Sequence, residues 1–193
     1  MKLLNDAIIY NVFNLNIMQK RIFGVCLALL AMLVASCGTT KTPQDIQMDK
    51  ALYAQAAQAI KNGDFVLESD QLQFKRGNIA NVMNNTNFIS MRNNTVTVQT
   101  AFNNGFQGAN NLGGVTLEGS PRNIKVSTDK KGNLNYQMDV MGAILSARVE
   151  LTLYAESNRA VATVFPNFSS NQLTLRGNIF PTEESNVFKG RTF

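Results

Sequence analysis

Two periods divide the chain. From Asp45 to Asn62 the apolar residues fall at helical spacing, with Met48, Leu52, Ala56, Ala59 and Ile60 on one side, Asp45 at a capping position and Gly63 as the stop. The pattern predicts one amphipathic helix; its stripe serves either as core or as a partner-docking face. Beyond Gly63 the period drops to two. Leu134, Tyr136, Met138 and Val140 point one way while Asn133, Asn135, Gln137 and Asp139 point the other, as in a strand with one wet face. Ala143, Leu145, Ala147, Val149, Leu151, Leu153 and Ala155 repeat the alternation, with Ser146, Arg148, Glu150 and Thr152 outside. Ile124 and Val126, the series Val96, Val98, Thr100 and Phe102, and the pair Leu173 and Leu175 follow it. So do Phe65 with Leu67 and Leu72 with Phe74, but their parity flips across Ser69-Asp70, which predicts a bulge or bend there.

Turn-forming residues separate these runs: Asn93-Asn94, Asp129-Lys130-Lys131-Gly132, Gly142, Ser157-Asn158 and Pro166-Asn167. Strands at this spacing without helical crossovers predict a mainly β fold. Its expected form is an antiparallel meander of about eight or nine strands, either a small barrel or a strongly curved sheet, with the one N-terminal helix over an open end or face. The expected organisation is a tether at residues 37–46, a single β-rich domain with its helix at 47–179, and a C-terminal tail at 180–193 that shows no clean period.

Ahead of the tether lies a different pattern. Met18-Gln19-Lys20-Arg21 is a positive start, residues 22–33 are an apolar run, and Val34-Ala35-Ser36-Cys37 ends it with small residues. The run is shorter than the ~20 apolar residues of a membrane-spanning helix. It resembles the bacterial lipoprotein signal, with cleavage between Ser36 and Cys37 and lipid attached to Cys37. Val34 stands where leucine is commoner. Cys26 follows bulky Val25 and is expected to leave with the signal, residues 18–36. Residues 1–17 put Ile8, Ile9, Tyr10, Val12 and Phe13 before the basic pair, so translation is expected to start at Met18, with 1–17 an over-extended gene model.

Composition then removes chemistry. The chain has no histidine and two cysteines, Cys26 and Cys37. Ser-His-Asp catalysis and histidine ligation of zinc therefore have no residues to build them; with Cys26 leaving in the signal and Cys37 lipidated, no disulfide framework is expected either, and no cofactor or metal site. The net charge of +5 is spread without a basic stripe, so nucleic acid is not an expected partner. Tryptophan is also missing, which weakens a sugar-stacking role.

Paired carboxylates are the acid/base option left open. Asp64, Glu68 and Asp70 cluster near the first strand, and Asp139 and Glu150 sit on either side of Gly142. All fall on positions predicted to face solvent, where Asp139 and Glu150 meet Arg148 or Lys125 as surface pairs. Gly105, Gly108 and Gly113 lie in a stretch that lacks the Lys-Ser/Thr ending of a phosphate loop and reads as a loop. Asn84-Asn85-Thr86, Asn93-Asn94-Thr95 and Asn167-Phe168-Ser169 match the glycosylation triplet and read as turns.

Residues 65–179 resemble a family of Bacteroidetes lipoproteins catalogued as a domain of unknown function. The resemblance rests on Val96-Thr97-Val98, on Gly114-Val115-Thr116-Leu117 before Ile124-Lys125-Val126, and on Lys131-Gly132-Asn133. Arg159-Ala160 and the closing Leu175-Arg176-Gly177-Asn178-Ile179 complete it. It implies a β-rich, lipid-anchored envelope protein with no assigned chemistry. Residues 102–114 depart from the pattern: Asn103-Asn104-Gly105-Phe106-Gln107-Gly108 stands where a Pro-Tyr-Phe-Gly type stretch is expected.

The expected function is a non-catalytic binding or structural module, anchored to the membrane through acylated Cys37. Its expected place is the outer membrane facing the periplasm, with the cell surface as the alternative, because no aspartate retention signal or acidic export run follows Gly38. The expected partner beyond the membrane is a small apolar ligand or an envelope protein. A carrier holding an apolar ligand or lipid among Tyr136, Met138, Leu145, Val149 and Leu151 is the second reading. A carboxylate-based hydrolase is the third.

Overall fold

The computed structural model describes residues 41–101, 114–167 and 170–190. Pro43 opens helix α1 (Pro43–Asn62), at a position where a missing N–H leaves no bond unmade, and Asp45 falls within the first turn. The helix thus begins inside the stretch expected to be tether. Gly63, at φ 67°, ends it by donating its N–H to the Ile60 carbonyl at 3.1 Å. Ala56, Ala57, Ala59 and Ile60 are buried, whereas Met48 is 63% exposed. The helix packs through its second half, and the predicted stripe stops short of Met48. Among the described residues no helix is long and apolar enough to cross a membrane.

Nine strands follow: β1 (Phe65–Phe74), β2 (Ile79–Asn81), β3 (Phe88–Arg92), β4 (Thr95–Thr100), β5 (Val115–Thr128), β6 (Leu134–Gly142), β7 (Ser146–Leu153), β8 (Arg159–Pro166) and β9 (Leu173–Pro181). All pairings are antiparallel, in the order β2-β1-β3-β4-β5-β6-β7-β8-β9, and β9 returns to pair with β1 along Phe65–Phe74. Eight strands therefore close a barrel. The ninth, β2, continues the line of β3 along the same edge of β1. Of the two predicted forms, the fold is the barrel.

Period two explains its interior. Leu134, Tyr136, Met138 and Val140 face Leu153, Leu151, Val149 and Ala147 in register, and all eight are buried in one core cluster. Ala56, Ala57, Ala59 and Ile60 of α1 belong to the same cluster. Tyr53 donates its hydroxyl to the Gly132 carbonyl, 2.6 Å away in the turn before β6, so α1 lies at the barrel end where β1 and β6 start. At the hairpin between β3 and β4, Asn93 and Asn94 take φ of 50° and 60°, a left-handed pair that asparagine tolerates. The predicted bulge is present: the β1–β9 register shifts between Ser69 and Gln71. Opposite it, a Cβ on Gly177 would stand 1.8 Å from the Glu68 carbonyl oxygen, so only glycine allows the strands to approach.

Four features depart from the sequence pattern. Strands β2 and β3 carry no alternation that marks them; Phe88 and Ile89, adjacent in sequence, are both buried because both faces of β3 are covered. The runs around Leu117 and Val126 are one strand, β5, bent by a register shift between Arg122 and Lys125 with Asn123 at φ 53°. Ile124 and Val126 are 44% and 47% exposed, against the core position expected of them. The reason is edge geometry: β4 pairs with β5 only as far as Gly119, and among the described residues the rest of β5 pairs with β6 alone. Finally, Ala143 is exposed, because the chain turns there and Gly142 N–H donates to Leu145 O at 3.0 Å.

The segment expected to be a C-terminal tail is held against the barrel. Phe180 and Pro181 complete β9, a 3-10 turn spans Thr182–Glu184, and residues 185–190 cross the outer face of β1, β3, β4 and β5 as a strap. Ser185 donates to Glu68 at 2.7 Å, Phe188 N–H donates to the Asn85 carbonyl at 2.7 Å, and Lys189 pairs with Glu118.

Candidate functional site

The wall of the barrel is interrupted where β2 hands over to β3. The intervening residues are tied to β1 by two main-chain bonds, Ser69 N–H to Asn87 O at 2.8 Å and Val82 N–H to Asp70 O at 3.0 Å. Between these ties runs the loop of residues 82–87. It leaves an open depression of about 370 Å³ lined by Asn81, Val82, Met83, Thr86, Asn87 and Ala101. Asn87 is its anchor: the side-chain amide donates to Met83 O at 2.9 Å, and its oxygen accepts Ala101 N–H at 2.8 Å. Asparagine suits this place because it supplies a donor and an acceptor on a short arm, which here join two loops. Met83, 69% exposed, offers the depression an apolar rim.

Below the depression, Gln99 holds the strap. The residue is fully buried on the outward side of β4, next to inward Val98. Its amide nitrogen donates to Thr86 O at 3.0 Å and Phe188 O at 2.7 Å, and its oxygen accepts Gly190 N–H at 2.7 Å and the Thr116 hydroxyl at 3.1 Å. Loop, strand and strap are thereby fixed to one another. Nothing in the sequence marks Gln99 or Asn87: a polar residue at an outward strand position reads as solvated, and the strap that buries Gln99 arrives from far along the chain.

The carboxylates are dispersed. Asp70, at the bulge, takes both guanidinium nitrogens of Arg159, which also donates to Asn178 at 3.3 Å, so three neighbouring strands are laced on the surface. The hydrogen bonds to Asp70 raise the Arg159 pKa further above its ordinary range. Asp139 accepts from Asn123 at 2.8 Å and from Arg148 at 3.2 Å, and those two donors, in that order, hold its pKa below the usual carboxylate value. The predicted pairing with Arg148 is therefore present, while Glu150 stands opposite Gln137. Glu68 accepts from Asn84 and Ser185, and Asp64 is exposed beside α1. Each of the three hydrogen-bonded carboxylates is engaged by amide, hydroxyl or guanidinium donors, and the five occupy no common cleft.

The carrier residues also have a place. Tyr136, Met138, Val149 and Leu151 are core members and Leu145 packs against them, so they serve as interior filling. Ser36 and Cys37, the predicted cleavage and lipidation residues, lie outside the described residues, as does the glycine-bearing stretch 102–113. Of the glycosylation triplets, Asn84-Asn85-Thr86 sits in the loop before β3 and Asn93-Asn94-Thr95 forms the left-handed hairpin turn. Among the described residues no three Cys, Asp or Glu side chains gather to hold a metal ion.

An eight-stranded antiparallel barrel, closed first strand to last, with one helix at its end and a strap across its wall, defines the class. Residues 47–179 match the family described as Domain of unknown function (DUF4251), and the chain belongs to that family. A solved relative, a DUF4251 family protein from Bacteroides eggerthii DSM 20697, is 43% identical; the match covers 77% of this chain and 99% of that one with a TM-score of 0.65. No curated protein matches the sequence.

Proposed function

We propose that this chain is an envelope lipoprotein whose barrel is a non-catalytic binding or structural module, held by acylated Cys37 at the periplasmic face of the outer membrane. The observation that carries the reading is the sequence Val34-Ala35-Ser36-Cys37 at the end of a short apolar run behind Lys20-Arg21. Two features of the folded part support it. Asp70, Asp139 and Glu68 are engaged in surface hydrogen bonds, which suits a scaffold better than acid/base chemistry. The depression around Asn87 is braced by hydrogen bonds to Met83 and Ala101 and has an apolar rim, as suits a recognition surface for a ligand or an envelope protein.

The test is replacement of the anchor. Cys37→Ser in the native host is expected to abolish incorporation of labelled palmitate and to move the protein from the membrane to the soluble fraction. Membrane partition unchanged from the parent would refute the reading.

A further inference from the structure

Among the described residues, the half of β5 beyond Gly119 is paired on the β6 side alone. From Arg122 to Thr128 every residue is exposed, although Val126 lies opposite buried Tyr136 and so belongs to the inward-facing set. Ile124 and Val126 therefore show apolar surface beside a strand edge that no other described strand pairs. Arg122 and Lys125 flank them, and the turn that follows adds Lys130 and Lys131. The acidic residue in this stretch, Asp129, is committed to its own turn: it accepts from Lys131 N–H at 2.8 Å, Asn133 N–H at 2.9 Å and the Asn133 amide at 2.8 Å. Glu183 and Glu184 belong to the turn after β9, where Glu184 accepts from the Gln55 amide of α1. Asp139, opposite Arg122 on β6, is engaged by Asn123 and Arg148, and exposed Glu156 lies in the adjoining turn after β7; against these acids Arg122, Lys125, Lys130 and Lys131 leave the β5–β6 edge basic, with Ile124 and Val126 as its apolar part.

The same end is where the chain enters the fold. Tyr53 bonds α1 to this turn, and two helical turns earlier α1 exposes Ile46 and Met48 by 43% and 63%. From Cys37 to Pro43 the chain spans at most about 20 Å even when fully extended.

We propose that the half of β5 beyond Gly119, the Lys130-Lys131 turn and the exposed start of α1 form a docking surface for the anionic headgroups of a lipid bilayer. The lysines and Arg122 meet the phosphates, while Ile124 and Val126 enter the headgroup boundary, the combination by which peripheral surfaces bind membranes. The choice of a bilayer as occupant rests on the anchoring reading above, since a lipid on Cys37 would hold this end within reach of the surface. Docking then fixes how the barrel stands, with the depression around Asn87 further up the wall.

The test uses the full chain carrying Cys37→Ser, so that acyl chains play no part and the anchor is judged separately by the palmitate experiment. Sedimentation with phosphatidylglycerol/phosphatidylcholine vesicles is compared with pure phosphatidylcholine vesicles. The expected result is binding to the anionic vesicles alone, weakening with salt. Lys130→Glu with Lys131→Glu should weaken it on the order of tenfold or more. Ile124→Ser with Val126→Ser, each checked for an unchanged thermal melt, should weaken it too; if that pair melts early, Arg122→Gln with Lys125→Gln replaces it. Arg76→Glu, in the turn after β1 at the opposite end of the barrel, should bind like the parent. Equal affinity for both vesicle types, absence of binding, or an equal loss in Arg76→Glu overturns the proposal.

Discussion

The amide of Gln99 joins three segments that are distant in sequence: the loop before β3, β5 through Thr116, and the strap through Phe188 and Gly190. Gln99→Leu keeps the volume but leaves the Thr86 and Phe188 carbonyls and the Gly190 N–H without this partner. At about 1–3 kcal/mol for a buried polar group left unsatisfied, the variant should lose on the order of 3 kcal/mol in urea denaturation. A loss near zero would mean that water replaces the amide freely. Tyr136 offers a second test. Its ring meets Phe65 edge-on at 5.8 Å and its hydroxyl donates to Met91 Sδ at 3.3 Å, a weak acceptor in dry surroundings. Burial pushes the phenol pKa above its ordinary 10.0. The folded chain therefore keeps this proton at pH values where the unfolded chain has released it, so the stability it carries is complete below pH 10 and falls as pH rises beyond. Tyr136→Phe should match the parent to within about 1 kcal/mol at pH 8 and become the more stable of the two above pH 10. Parallel pH profiles for parent and variant would contradict the assigned cause.

Among the elements, β6 and β7 show how far alternation reaches. Every inward position from Leu134 to Val140 and from Ala147 to Leu153 is where period two puts it. Met138→Asp therefore buries an unpaired charge and should cost several kcal/mol, while Gln137→Asp, one residue away on the outer face, should leave the thermal melt nearly unchanged. Similar melts would show the register to be wrong. The bulge in β1 was legible for the same reason, since a parity flip at Ser69-Asp70 has few other causes. Strand β3 was not legible, because alternation assumes one wet face and β3 has none: the barrel core covers its inner face and the strap its outer one. Ile124 and Val126 fail in the opposite sense: their own strand alternates correctly, but burial depends on whether the next strand reaches that far, and β4 does not. Periodicity reports the orientation of a side chain; the neighbour decides its exposure.

For the whole molecule, the sequence carried the fold class, because it is written locally, in strand periods. The depression around Asn87 and the Gln99 junction were illegible because each is assembled from segments that meet only after the barrel has formed. The pairing of β1 with β9 has a kinetic consequence. Phe65 meets Pro181 and Phe74 meets Leu173, so the ring is closed by the contacts most widely separated along the barrel-forming chain. Such closure carries a large loop entropy before any of it is regained, which slows folding. A chain emerging N-terminus first, from a ribosome or a translocation pore, stays an open sheet with its two edges unjoined until residues 173–181 appear. Its last strand is the latch, and the polypeptide remains threadable until that latch arrives.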